Sequence, residues 1–279
     1  MLKRALAAVL LLCSAALPAR AGGPCAATAD STHASGFELF SGAWKYGIGG
    51  QITQGSSAIS LSRDQGIQTS GQPLAALRWC TSHARWWLPD LSAGYQHLGA
   101  SGSYLAPSNL QFGGIVLVKD QTLVQAGVNL NSFDGSLDWR LPQLYRGRLQ
   151  LSAGLAAKYL AGHYTVAGIN SPSVLGIIGL GQIPVIQQER DSVDRLVPML
   201  HGRIDALPWS WLRLSASAGY ATLDGDHLGE WRAGAELQLL PPVSISAGYL
   251  AQLYRVKSSP TIIDARLGGA MFGISLHTW

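Results

Sequence analysis

Apolar and polar residues alternate with a period of two along most of this chain. In the stretch 149–159, Leu, Ala and Tyr occupy the odd positions, while Gln, Ser, Gly, Ala and Lys occupy the even ones, and 212–220 and 243–249 repeat the pattern. A period of two places alternate residues on opposite faces of an extended strand. The alternation therefore predicts β-strands that have one apolar face and one more polar face.

The predicted strands are joined in pairs by proline turns. The tetrapeptide SAGY occurs three times and SAGL once, each after a Leu-Pro pair, and the segments that lead into these pairs alternate as well. One alternating segment before a short turn and another after it is the pattern of a β-hairpin. The repeating unit is therefore a hairpin, and the Leu-Pro pairs stand at 88–89, 141–142, 207–208 and 240–241.

Counting these hairpins predicts about ten strands in an antiparallel, up-and-down order. Eight or twelve strands are the alternatives, because residues 112–124 could add an extended hairpin to one of the loops. The predicted strands cover residues 37–49, 73–85, 90–103, 124–140, 148–161, 195–206, 211–223, 229–240, 243–256 and 264–279.

A closed membrane barrel explains the pattern better than a soluble sandwich, whose strands alternate too. The segments are long for a sandwich strand but match a tilted strand that crosses a bilayer. Aromatic residues cluster beside the turns, as in the aromatic girdle of a membrane barrel. We therefore expect an all-β fold, a single antiparallel transmembrane β-barrel. The expected girdle comprises Trp86, Trp87, Tyr145, Trp209 and Trp211.

The connections differ between the two ends of the predicted barrel. Those at the Leu-Pro pairs are short, whereas those at the other end are long and cover 50–72, 104–123 and 162–194. Short periplasmic turns and long outer loops characterise barrels of the bacterial outer membrane. The last loop contains an apolar run at 172–187, which we expect to fold over the barrel mouth or to rest at the membrane boundary.

The N-terminus has the layout of a cleavable secretory signal. Lys3 and Arg4 precede the apolar stretch 5–17, and a small-x-small site ends at Ala21, before Gly22. Such a signal directs the chain out of the cytoplasm, and the barrel prediction places it in the cell outer membrane. The expected organisation is a signal peptide at 1–21, a periplasmic tail at 22–35 and the barrel at 36–279.

The charge balance and the cysteines exclude some classes of function. Of the 279 residues 13% are charged, and the formal net charge is +4. Without the three basic residues of the signal, 17 basic residues face 16 acidic ones, which does not favour nucleic-acid binding. Cys25 and Cys80 remain after cleavage and either form a disulfide or stay free. The residue spacing indicates no metal site, and no cofactor is expected.

The C-terminal segment resembles an assembly signal. The chain ends MFGISLHTW, and outer-membrane barrels usually end in an aromatic residue that the assembly machinery recognises, here Trp279. The expected partners are therefore the outer-membrane assembly machinery and periplasmic chaperones during biogenesis. In the membrane, they are outer-membrane lipid and lipopolysaccharide.

Several short motifs, mostly in the second half of the chain, point to a known family. They are Val197-Pro198-Met199-Leu200, the turn from Asp205 to Pro208, Asp224-Gly225 ahead of Trp231-Arg232-Ala233-Gly234, Gly248-Tyr249 and the C-terminal aromatic residue. With these motifs, nearly all of the mature chain resembles a family of small proteobacterial outer-membrane barrel proteins of unassigned biochemical role. The chain departs from it at Trp279, where Phe is usual, and at Trp139-Arg140, where paired tyrosines are usual. The resemblance implies the location and the fold, but no reaction.

Charged residues of both signs fall on the polar face of the predicted strands. They could line a narrow pore, form a catalytic cluster or fill the barrel with ion pairs. Because buried charges are tolerated only when they are paired, we favour the last interpretation. The predicted lumen-facing residues are Arg78, Asp138, Arg140, Lys158, His201, Arg203, Asp205, Arg213, Glu230, Arg232, Glu236 and Arg266.

Two groups of residues suggest catalysis by residue type. Asp224, Asp226 and His227 stand at a predicted hairpin tip and could activate water, as acidic and His residues do at the rim of omptin proteases. Asp-Gly is also a strong turn signal, which explains Asp224-Gly225 without catalysis, and we favour that interpretation. A lipid-modifying enzyme of the lipid A deacylase or palmitoyl-transferase type would need a Ser-His pair on the lipid-facing surface. The candidates for that pair are His97, His163 and Ser101.

The sequence thus predicts an integral outer-membrane barrel with a side-chain-filled lumen and a structural, adhesive or surface-interacting role. A narrow pore for small solutes is one alternative. A hydrolase at the rim or at the lipid-facing surface is another.

Overall fold

The computed structural model describes residues 36–62, 67–69, 71–81, 87–141, 148–170, 185–258 and 260–277. These residues form fourteen β-strands, and this part of the chain contains no helix long and apolar enough to cross a membrane. The predicted signal peptide, the tail at 22–35, Trp86, Tyr145 and Trp279 lie outside the described residues. The strands are β1 (Gly36–Gln54), β2 (Ser57–Ser60), β3 (Gln68–Thr69), β4 (Gln72–Cys80), β5 (Asp90–Leu105), β6 (Leu110–Phe112), β7 (Ile115–Leu117), β8 (Thr122–Arg140), β9 (Leu149–Asn170), β10 (Val185–Trp209), β11 (Leu212–Leu223), β12 (Asp226–Leu240), β13 (Val243–Ser258) and β14 (Thr261–His277).

Ten of these strands close into an antiparallel barrel. They pair in chain order, from β1 through β4, β5 and β8 to β14, and β14 returns to pair with β1. At that seam Glu38 lies opposite His277, and Gln54 lies opposite Thr261. The predicted fold, a single antiparallel barrel of ten strands, is therefore confirmed.

The loop expected at 162–194 is largely strand. β9 and β10 stay paired from Leu149 and Ala206 up to Asn170 and Val185, so their connection shortens to 171–184, which lies outside the described residues. The expected boundaries were wrong because the alternation continues with its polarity reversed. Beyond 161 exposed outward side chains of β10, such as Ser192 and Asp194, are polar, and the inward side chain of Val166 on β9 is buried. A search for an apolar outer face does not detect this change.

Two other expectations on strand boundaries are corrected. β4 ends at Cys80, within the predicted strand 73–85. Residues 110–117 do form an additional hairpin, β6 and β7, but it makes a separate two-stranded sheet outside the barrel wall. The number of strands in the wall therefore stays at ten.

The outside of the barrel carries an apolar belt next to the Leu-Pro turns. We call this end of the barrel the turn end and the opposite end the loop end. Large apolar side chains that point outward from the belt are exposed on most strands of the wall, a distribution that a soluble protein avoids. They include Phe37, Leu39, Leu77, Leu91, Leu137, Leu155, Leu200, Ile204, Leu214, Leu239, Ile245, Phe272 and Ile274.

The polarity of the wall reverses along the barrel axis, as β8 shows. Near the turn end Leu137 is exposed on the outside and Asp138 is buried on the inside. Toward the loop end Asn129 is exposed on the outside, and Leu130 is buried on the inside. The lower part of the barrel is therefore apolar outside and polar inside, whereas the upper part has the arrangement of a soluble protein.

An apolar plug closes the upper part of the barrel. The side chains of Phe112, Ile115 and Leu117 from the β6–β7 hairpin are at most 2% exposed. They pack in one cluster with inward-facing residues of the wall such as Leu160 and Val166. Burial of this apolar surface holds the hairpin against the wall.

Candidate functional site

The charged lumen of the lower barrel is the candidate site. The period-two alternation turns every second side chain inward, so charged residues that are far apart in the chain meet inside the closed wall. The structure brings eleven of the predicted lumen residues together there, namely Arg78, Asp138, Arg140, Lys158, His201, Arg203, Asp205, Arg213, Glu230, Arg232 and Glu236. The twelfth, Arg266, is exposed on the outside, so its prediction was wrong.

Asp90 organises the first charged cluster, at the turn end. Its carboxylate is 1% exposed and accepts hydrogen bonds from Arg78 Nη2 at 2.9 Å and from Arg140 Nη2 at 2.8 Å. Arg140 Nε donates as well, at 2.9 Å, and so does the backbone N–H of Thr81, at 3.0 Å. Two guanidinium groups and one backbone amide thus share one buried carboxylate.

Asp205 organises the second cluster. Arg203 Nε and Nη2 donate to its two oxygens at 2.7 and 2.9 Å, which is the bidentate geometry favoured by guanidinium and carboxylate. Arg78 Nη1 lies 3.7 Å from Asp205 Oδ2, and Arg213 Nε lies 4.0 Å from Oδ1. Arg78 therefore connects the first cluster to the second.

Arg213 forms the centre of the third cluster, between Glu38 and Glu236. Arg213 Nη1 donates to Glu38 Oε2 at 3.1 Å, and Nη2 lies 2.6 Å from Glu236 Oε2. His277 Nε2 lies 2.6 Å from Glu236 Oε1. The side chains of Glu38, Glu236 and His277 are close enough to act as a set of metal ligands. Because Arg213 pairs with both carboxylates, a cation would have to displace its guanidinium group.

A fourth cluster lies higher in the lumen. Lys158 pairs with Glu230, and Gln252 Nε2 donates to the same carboxylate at 2.8 Å. Gln252 in turn accepts hydrogen bonds from Gln96 at 2.6 Å and from Tyr254 at 2.9 Å. The amides extend the network across the lumen from β13 to β5.

A cavity of about 170 Å³ lies between these clusters. His201 and Arg232 line it, and His201 Nδ1 lies 2.7 Å from Asp138 Oδ1. The other oxygen of Asp138 accepts a hydrogen bond from Ser136 at 2.7 Å. A space of this size, lined by paired charges of both signs, suits water molecules.

Above the cavity the lumen is filled with apolar side chains. Trp44, Leu160, Leu228 and Leu250 are at most 1% exposed and belong to one cluster with the plug. The indole N–H of Trp44 donates to the backbone oxygen of Gly269 at 3.2 Å, which satisfies its only polar group. The lumen therefore has a charged lower section and an apolar upper section.

Several lumen residues were missed by the sequence analysis. Glu38 and Asp134 share the inward phase of predicted strands, so the alternation could have identified them. Asp90 is the first residue of a predicted strand and shares the inward phase of Ser92, so the alternation could have identified it as well. His277 and Gln252 carry no strong sequence signal, because their partners lie on distant strands.

The Asp224–His227 tip is a tight turn in the structure. Asp224 and Gly225 have φ values of 51° and 83°, and Leu223 pairs with Asp226 across them. This is a two-residue hairpin turn of the kind that Asp-Gly favours. Asp226 is 8% exposed and accepts a hydrogen bond from the Lys257 N–H at 2.8 Å, whereas the next side chain, His227, belongs to the opposite face of the strand. The two candidate groups do not converge.

The candidate Ser-His pair lies on the outside of β5 and β9, above the belt. His97 and His163 line a groove of about 700 Å³, and His97 Nδ1 lies 3.0 Å from Asn131 Oδ1. Ser101 also lines it but forms no hydrogen bond with either histidine. Because β8 separates β5 from β9, the groove brings these residues to one surface without forming a catalytic pair.

Two aromatic rings flank the apolar belt. The lower ring, at the turn end, contains Trp87, Trp139, Trp209 and Trp211, and the indoles of Trp209 and Trp211 stack with 5.5 Å between centroids. Trp86 and Tyr145, also expected in this girdle, lie outside the described residues. The upper ring was not predicted. It contains Tyr95, Phe133, Tyr159, Tyr220, Trp231 and Tyr249.

Cys80 is fully buried and disulfide-bonded. Cys25, the other cysteine of the expected mature chain, lies outside the described residues. Cys80 ends β4, directly before the connection to Asp90, so the disulfide is located at the turn end.

Comparisons with known proteins do not assign the chain to a family. No family model and no curated protein matches the chain. Among solved structures, the outer membrane protease OmpT from Escherichia coli covers 90% of this chain and 100% of its own, with 8% identity and a TM-score of 0.48. Ail, the attachment invasion locus protein of Yersinia pestis, covers 88% and 97%, with 9% identity and a TM-score of 0.33. The translocator domain of the autotransporter NalP from Neisseria meningitidis covers 87% and 89%, with 11% identity and a TM-score of 0.30. No residue role is transferred from these proteins.

Proposed function

We propose that this protein is an integral outer-membrane β-barrel with a permanently filled lumen and a structural or surface-interacting role, which includes adhesion. The observation that carries the proposal is the filling of the lumen at two levels. Ion pairs around Asp90 and Asp205 occupy the lower section, and the apolar cluster around Trp44 and Phe112 occupies the upper section. A continuous path for solutes would require both levels to rearrange.

The dimensions of the belt support the membrane location. At about 3.3 Å per residue and a strand tilt of 35–45°, the stretch from Trp211 to Tyr220 spans about 23 Å along the barrel axis. This distance is close to the apolar band of an outer-membrane barrel, about 25 Å. The two aromatic rings would lie at the two membrane interfaces.

The upper barrel supports a role at the cell surface. β9 and β10 continue well beyond the upper ring, and the outward side chains of β10 there, such as Arg190, Ser192 and Asp194, are polar. In the proposed orientation the turn end lies in the periplasm, and this upper part projects from the cell. Its partners in biogenesis would be the assembly machinery and periplasmic chaperones.

Planar-bilayer conductance tests the filled lumen. The purified protein is expected to give no discrete openings. A variant in which two glycines replace residues 108–119 lacks the plug and serves as the comparison. Discrete openings of the unmodified protein would contradict the proposal and favour a pore for small solutes.

The location is tested separately, by fractionation and a heat-modifiability gel. A barrel in the outer membrane stays folded in cold detergent and migrates differently after boiling. Recovery of the protein in the soluble periplasmic fraction would exclude the membrane location, whatever the conductance result.

A further inference from the structure

Outward-facing charges are distributed unevenly above the upper aromatic ring. The outward positions of β5, β8 and β9 beyond the ring carry no Lys, Arg, Asp or Glu in the described residues. β10 carries both signs there, with Arg190 and Asp194. On β13, β14 and β1, in contrast, cations predominate, and this sector is the basic surface of the barrel.

The basic surface contains exposed cations that form no ion pairs with the described part of the chain. Lys45, Arg255 and Arg266 are exposed, and none of them lies within 4.0 Å of a carboxylate among the described residues. Lys257 extends the surface toward the loop end. Asp264, the outward acidic residue of this sector, leaves a clear excess of positive charge.

The strand register brings these cations onto one surface. Arg255 lies opposite Asp264, two residues from Arg266, so the two arginines are diagonal neighbours, about 7–8 Å apart. Lys45 shares a row with Tyr249 of the upper ring, since both lie opposite Ala270. Lys45 therefore lies at the upper ring, and the arginines lie above it.

Glycines form a shallow floor between the cations. Gly47 lies opposite Gly268 on the neighbouring strand, and Gly49 lies opposite Arg266. A Cβ added at Gly49 would meet nothing within 4 Å, while one at Gly268 would lie 2.6 Å from the hydroxyl of Tyr249. The phenol ring of Tyr249 therefore lies over the backbone of Gly268, and the cations surround an open depression.

We propose that Lys45, Arg255 and Arg266 bind the phosphate groups of a phosphorylated glycolipid, lipopolysaccharide, in the outer leaflet. The inference rests on the proposed membrane orientation, which places the surface at the headgroup level above the upper ring. Unpaired cations at this level attract anionic headgroups. The glycine floor leaves room for a flat sugar, to which the Tyr249 hydroxyl can hydrogen-bond.

Binding of lipid A to the purified protein in nonionic detergent tests this proposal, by titration in native mass spectrometry. The variant K45Q/R255Q/R266Q is expected to bind bisphosphorylated lipid A at least about tenfold more weakly than the unmodified protein. The matched control K119Q/R148Q/R190Q removes three exposed cations elsewhere and should retain the affinity. Equal affinity of the first variant and the unmodified protein would overturn the proposal, as would an equal loss in both variants.

Two further binding experiments test whether the phosphate groups of lipid A are recognised. Dephosphorylated lipid A should bind the unmodified protein at least about tenfold more weakly, because the phosphates are the groups recognised. Millimolar inorganic phosphate should not displace lipid A, and displacement would instead indicate a site for free phosphate. Gly49→Leu fills the depression without a change of charge and should weaken binding.

Failure of this inference is distinguishable from failure of the proposed function. A heat-modifiability gel shows that each variant is folded, so a lost affinity is not a lost fold. Fractionation reports the membrane location without reference to lipid A. A protein that is located in the outer membrane but binds both lipid A forms equally would contradict the glycolipid site alone.

Discussion

Glu38 and His277 face each other across the seam that closes the barrel. Glu38 pairs with Arg213, and His277 contacts Glu236, so both residues of the seam belong to the third charged cluster. Arg213 and Glu38 are separated by 175 residues in the chain. The cluster therefore joins the first and last strands to β11 and β12.

Arg213→Met is expected to destabilise the folded barrel by about 3–5 kcal/mol, because it leaves two buried carboxylates without their cation. Urea unfolding in detergent, followed by tryptophan fluorescence, measures the loss. The triple variant that adds Glu38→Gln and Glu236→Gln should recover most of it, since no buried charge is then unpaired. Arg148→Met, at an exposed position, is the control, and an equal effect of both single variants would contradict the role of the cluster.

Asp90→Asn should cost about 3 kcal/mol of stability, because Arg78 and Arg140 share this buried carboxylate. The midpoint of urea unfolding measures the effect. Asp264→Asn removes an acidic group that is only partly buried on the outside and should shift the midpoint little. If the two variants have the same midpoint of urea unfolding, the network around Asp90 contributes no stability.

Phe112→Ala is expected to loosen the plug without opening the barrel wall. The buried ring contributes about 3–5 kcal/mol to docking, and β6–β7 is a separate sheet. Trypsin should therefore cut at the exposed Lys119 faster than in the unmodified protein, while the heat-modifiable band is retained. Val116→Ala truncates an exposed side chain of the same hairpin and should leave cleavage unchanged.

Gly225→Val should destabilise the β11–β12 turn by about 1–2 kcal/mol, since a φ of 83° is unfavourable for a side chain with a Cβ. Asp224→Asn should be tolerated, because Asn adopts a positive φ more readily than other non-glycine residues. The temperature at which the folded band disappears from the gel measures both effects. Under the turn interpretation His227→Ala also has no effect, whereas a loss of lipid or peptide cleavage in that variant would support the hydrolase alternative.

Much of the lower barrel could be predicted because one physical rule governs it. In a membrane barrel the wall between the aromatic rings is apolar outside and polar toward the lumen, so a period of two identifies both faces. The inward phase of Arg203 and Arg213 follows directly from that rule. Arg266 is an exception, because it lies toward the loop end of β14, above the belt, where the outward face is polar.

The upper barrel could not be predicted with the same rule. Tyr164 and Val166 look like an outward apolar face in the sequence, yet they are fully buried against the plug. Alternation defines two faces but not which of them meets water. Which face meets water depends on where the apolar belt ends along the barrel axis. The position of the belt is set only when the strands close into the wall.

The sequence by itself determined the period of the strands, the short connections at the turn end and the residue types on each face, because these features are local. Tertiary structure alone decided which charges pair across the lumen, where the polarity reverses, how the plug closes the mouth and how Lys45 comes to share a surface with Arg266. The reason is closure: it places β1 beside β14, so residues more than two hundred positions apart, such as Trp44 and Gly269, become neighbours.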